Sequence, residues 1–106
     1  MIKATYYRSR LRLKVAGHSG GRKGVDPVCA GVSALVLTAA ANLAALAGQS
    51  QILEHRLDIR EGYADLWCKP RARMAPVVML ILDALVTGLQ LMQSHHPEKI
   101  ELEIIK

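Results

Sequence analysis

Leu11, Leu13 and Val15 alternate with Arg10, Arg12 and Lys14. A period of two marks a strand with one covered face and one wet face. Residues 2–8 and 10–16 therefore predict two strands, and the short connection at Ser9 predicts a hairpin. Residues 17–25 hold four glycines with Arg22 and Lys23, which predicts a mobile loop. Asp26-Pro27 then opens a helix. Asp is a favoured N-cap, and Pro suits the first helical position because its missing N–H has no partner there. This helix runs without a charge to about Ala47 and ends at Gly48. Leu53, Leu57 and Ile59 alternate with Glu54, Arg56 and Asp58, Glu61-Gly62 makes a turn, and Tyr63 to Lys69 returns. Pro76 opens a second long helix to about Ser94, with Val78, Leu82, Leu85 and Leu89 toward the core. His95-His96-Pro97 ends it, and Ile100, Leu102 and Ile104 alternate with Glu101 and Glu103 in a last strand.

The order is ββαββαβ. It predicts an α+β fold, a single domain over 1–106, with a mixed or antiparallel sheet and two long helices packed on it. The chain is 51% apolar, enough for a core without metal or disulfide. The first helix meets the length criterion for a membrane span, but it is rich in Ala and carries Ser33 and Asn42. The second has Asp83 at its centre, costly in lipid. A soluble protein with no membrane partner is expected. A helix apolar all round needs cover on more than one side, which predicts a homodimer.

The net charge of +5 suits an anionic neighbour such as RNA or a ribonucleoprotein. With four aromatics and no Phe, a base-stacking platform is poorly supported. Cys29 and Cys68 form no CxxC pair and no four-ligand zinc spacing exists, so neither metal nor cofactor is expected. The N-terminus has no apolar signal core, and reduced thiols fit the cytoplasm. GHSGGRKG fails as a phosphate-binding P-loop, because Arg22 stands where the second Gly belongs and Gly24 replaces the hydroxyl.

The chemistry gathers at Cys29. With Asp26 as N-cap, Cys29 is the third helical residue. The first turn of a helix has unpaired N–H groups and a partial positive charge, which favour a thiolate and offer donors to an oxyanion. His18 ends the second strand, and a strand feeding a helix packed back on its sheet brings strand end and helix start together. Two readings stand at this point. In one, Cys29 is a nucleophile and His18 its general base. In the other, Cys29 is a core residue of a non-catalytic ribosome- or RNA-associated binding module. Asp26 is expected to cap the helix, to orient His18, or both. Ser33 lies one turn beyond Cys29 on the same face.

Gly17-His18-Ser19, Gly24, Asp26 and Val28-Cys29-Ala30-Gly31-Val32-Ser33-Ala34-Leu35 together resemble the signature of the ribosomal-processing cysteine protease (Prp) family. The likeness extends to Glu61-Gly62-Tyr63, the aliphatic second helix, and His96-Pro97-Glu98-Lys99-Ile100. The resemblance implies a small homodimer in the bacterial cytoplasm. It implies removal of a short N-terminal extension from a large-subunit ribosomal protein precursor, with Cys29 as nucleophile, His18 as general base, and Asp26 and Ser33 in support. Ser19, Gly20, Gly21, Arg22, Lys23 and Gly24 would close over the substrate peptide. Pro27 departs from the aliphatic residue usual there, and the loop lacks the aromatic often found after the histidine.

Overall fold

The computed structural model describes residues 1–18, 20 and 26–106. Its elements are β1 (Ile2–Tyr7), β2 (Arg12–Gly17), α1 (Pro27–Gly48), β3 (Ile52–Arg60), β4 (Tyr63–Pro70), α2 (Ala75–His95) and β5 (Ile100–Ile105). The expected ββαββαβ order and α+β class are present. One five-stranded sheet runs β3-β4-β2-β1-β5. All neighbours are antiparallel except β1 and β5, which run parallel with Ile2 opposite Ile100. The sheet is therefore mixed.

Both helices cover the same face. α1 buries Val28, Val32, Val36, Ala39, Ala40 and Leu43, and α2 buries Val78, Leu82, Leu85, Val86 and Leu89. These sit three or four residues apart, which makes one stripe on each helix. They meet Tyr6, Leu13, Leu66 and Ile100, all fully buried on the sheet. Each such leucine contributes about 1.5–3 kcal/mol by leaving water. By length and composition both helices could cross a membrane. Asp83, however, is tied to the sheet. It accepts from the Tyr6 hydroxyl at 2.7 Å and from Arg8 Nε and Nη2 at 3.1 and 3.0 Å. Arg8 holds the Asp83 carboxyl below its usual range, and burial raises the Tyr6 phenol.

Three local expectations are corrected. The first hairpin is not a bare two-strand turn at Ser9: Arg8–Arg10 wind into a 3-10 turn, and Leu11 takes a left-handed φ of 52°. That conformation costs a leucine about 1–2 kcal/mol, which burying its side chain offsets. α2 begins at Ala75, one residue before Pro76, after a 3-10 turn at Ala72–Met74. The alternation in β3 predicts one covered face, but Leu53 is 54% exposed and Ile59 38%. β3 is an edge strand, and its register shifts between Ile52 and Glu54.

Candidate active site

Asp26 starts α1 as the sequence predicts. Its side chain accepts from the Val28 N–H at 2.9 Å and the Cys29 N–H at 3.4 Å, and its carbonyl accepts from Ala30 N–H at 3.1 Å. Pro27 needs no partner. The capping role of Asp26 is thus in place, and its carboxylate is buried. This corrects the expectation of a ready oxyanion site, because the first-turn donors are already engaged. Cys29 N–H is the one the carboxylate holds most loosely, beyond the usual N–H···O distance.

His18 follows directly on β2 and is exposed. Its neighbourhood is set from two sides. The terminal ammonium of Met1 donates to the His18 carbonyl. Gly17 has φ +107°, and a Cβ there would sit 2.2 Å from the Met1 carbonyl oxygen, so only glycine lets β1 start this close. On the other side, Gly17 N–H donates to the Gly62 carbonyl at 2.9 Å. The imidazole itself lies over Gly62: a Cβ on that residue would stand 2.6 Å from Nε2. Gly62 has φ +69°, the left-handed turn between β3 and β4.

His18, Asp26, Cys29 and Ser33 all line one cleft of about 830 Å3. Its walls are the first turns of α1, the end of β2 and the β3–β4 turn. Val32, Val36, Leu37 and Ile59 give it an apolar floor, and Glu61 lies at its rim beside Gly62. Cys29 is half-buried and opens on this cleft, whereas Cys68 is 2% exposed and its thiol is pushed up to about 11 by burial. The two cysteines thus have different fates, and Cys68 is a packing residue of the core. Of the expected substrate loop, Ser19, Gly21, Arg22, Lys23 and Gly24 lie outside the described residues; Gly20 is described, with φ +87°. Among the described residues, no three His, Cys, Asp or Glu side chains gather as metal ligands.

The arrangement puts a thiol, an imidazole and a buried carboxylate around one largely apolar cleft. Sequence reading placed Gly62 only in a turn. Its second role, as the surface under the imidazole, depends on the pairing of β2 with β4, which no local pattern shows.

The fold is shared with solved proteins. The crystal structure of an essential ribosomal-processing protease Prp from Staphylococcus aureus, with a covalently linked product peptide, superposes with a TM-score of 0.73 at 21% identity, over 97% of this chain and 96% of that one. The S. aureus Prp structure with a substrate peptide gives 0.71 at 22% identity, over 98% and 99%. SMU.848 from Streptococcus mutans gives 0.69 at 25% identity, over 99% and 94%. No curated protein sequence matches the chain. Residues 1–101 match the pattern of the cysteine protease Prp, and the chain belongs to that family of cysteine proteases.

Proposed function

We propose that this protein is a cytoplasmic endopeptidase that removes a short N-terminal extension from a large-subunit ribosomal protein precursor. The observation that carries the reading is the meeting of His18, Asp26, Cys29 and Ser33 on one peptide-sized cleft. The S. aureus relatives, described as ribosomal-processing proteases bound to substrate and product peptides, support it.

In this reading His18 takes the Cys29 proton and the thiolate attacks the scissile carbonyl carbon. The carbon–nitrogen bond then breaks, and His18 returns the proton to the leaving amine. Water hydrolyses the thioester left on Cys29. Asp26 holds the first turn of α1, and with it the sulfur, in place. Ser33, exposed one turn further on, contacts the bound peptide. The loop from Ser19 to Gly24 covers it. The apolar floor takes aliphatic side chains of the substrate.

The test is a synthetic peptide spanning the junction of such a precursor. One cut is expected, with a transient acyl mass on Cys29. Iodoacetamide that caps Cys29 and spares Cys68 is expected to stop cleavage. Cleavage that continues with Cys29 fully capped overturns the reading.

The protein acts as a homodimer in this proposal, joined through the outer faces of α1 and α2. Leu80 and Leu91 are 69% and 61% exposed there, beside a shallow apolar groove floored by Gly31, Ala34 and Gly88. Sedimentation at micromolar concentration is expected to show two chains, and Leu91→Glu to shift the protein to one chain. A single chain at all concentrations removes the dimer.

A further inference from the structure

The face of the sheet turned away from the helices carries a second pattern. Arg56 stands opposite Trp67, Trp67 opposite Arg12, and Arg12 opposite Tyr7, so one row across four strands alternates guanidinium and ring. The neighbours of these residues along each strand point the other way: Tyr6, Leu11, Leu13, Leu66 and Cys68 are buried under the helices. The Arg10 guanidinium lies 5.7 Å over the Tyr7 ring, and Arg60 lies 5.7 Å over Tyr63. Four aromatics spread along a sequence are sparse, but three of them share this face.

The charge on the face is ordered too. Asp65 is matched by Arg12, Asp58 by Arg60, Glu54 by Lys69 and Glu101 by Lys3. Arg10, Lys14 and Arg56 form no ion pair among the described residues, and they flank the aromatic row, while Glu103 lies out on edge strand β5. The centre is thus positive, with flat side chains between the cations.

We propose that this face binds single-stranded RNA, with bases stacked on Trp67 and Tyr7 and phosphates held by Arg10, Lys14 and Arg56. A sheet presenting aromatics about two strand spacings apart, roughly 10 Å, offers successive π-faces, and guanidinium planes between them stack as well. A duplex hides its base faces and cannot use such a row. The choice of RNA over DNA rests on the proposed ribosomal substrate; the stacking face itself does not. Tyr63 and Arg60 border both this face and the peptide cleft, so RNA held here leaves the cleft at its edge.

Trp67 is the one tryptophan of the chain, so its fluorescence reports stacking directly. An unstructured 12-nucleotide RNA is expected to quench it saturably. Anisotropy of the same RNA carrying a fluorophore is expected to show affinity falling about 5- to 150-fold in Trp67→Leu. Arg56→Ala, at an exposed position, is expected to lower the salt dependence by about 0.7 in the log–log slope. Both variants should cleave a short precursor peptide at the unaltered rate, which separates this proposal from the protease reading. Equal binding of duplex RNA, tighter binding of single-stranded DNA of the same sequence, or binding indifferent to both substitutions overturns it.

Discussion

Cys29→Ala is expected to abolish peptide cleavage, and Gly62→Ala to lower its rate about a hundred- to ten-thousandfold with the thiol still in place. The second result follows from geometry. A methyl at residue 62 would intrude to 2.6 Å from His18 Nε2 and 2.8 Å from Cε1. The imidazole is the far end of an exposed side chain, so it moves aside at little cost in folding energy. The cost falls on catalysis, because a base even 1 Å out of place no longer meets its proton. The left-handed φ of +69° adds about 1–2 kcal/mol of strain to an alanine, too little to unfold the chain. In the proposed mechanism Gly62 is thus a positioning residue, acting through His18. His18→Ala should lose a similar factor, and adding Gly62→Ala to it should cost no further activity. A Gly62→Ala protein with the unaltered turnover number, or losses that multiply in the double variant, would show that the glycine does not set the imidazole.

Much of this arrangement is legible along the chain, and what is not has a common cause. The capped start of α1 depends on Asp26 and Pro27, adjacent residues with local effects. The strand around Leu13 and the stripe Val78, Leu82, Leu85 and Leu89 depend on short periods, and each is found where the pattern puts it. What escapes is whatever depends on which strands pair. β5 lies parallel beside β1 at one edge, a choice no alternation expresses. The row Arg56, Trp67, Arg12 and Tyr7 draws on four strands from two distant hairpins, so a count of aromatics undervalues it. The exposed side of Leu53 reflects the edge position of β3 and the register shift between Ile52 and Glu54. Gly62 reads as a turn glycine until β2 and β4 are paired; only then does it lie beneath His18. Local chemistry is enough to place Cys29 at the start of α1, and tertiary pairing is needed to learn what lies beneath His18.

The same dependence on pairing sets the largest stability prediction, at Arg12. This residue stands opposite Trp67 on β4 and reaches the neighbouring Asp65, its Nε and Nη2 meeting the two carboxylate oxygens at 2.9 and 2.6 Å. The two partners differ in exposure: the Asp65 side chain is 1% exposed, the Arg12 side chain 33%. Removing the acid therefore leaves a guanidinium that can turn to water, whereas removing the arginine strands a carboxylate that cannot. Arg12→Met is expected to destabilise the protein by about 3 kcal/mol, and Asp65→Ala by less. The lower end of the range for broken buried pairs applies because Lys14 and Arg56 still attract the Asp65 charge. The pH dependence separates the two states. In the native protein the hydrogen bonds from Arg12 hold the Asp65 carboxyl below its usual value. That contribution is complete above the ordinary carboxylate value, about 3.9, and is lost as pH falls through the lower folded value. In Arg12→Met burial pushes the same carboxyl up, so its penalty is full at pH 7 and is relieved as pH falls toward 4. Urea unfolding at pH 7 and pH 4.5 should therefore show the variant closing the gap on the native protein as the pH drops. Arg12→Met with Asp65→Leu should recover most of the loss at pH 7, because the double variant leaves no charge behind. A gap that stays constant with pH would mean that Asp65 is not the charge being stranded.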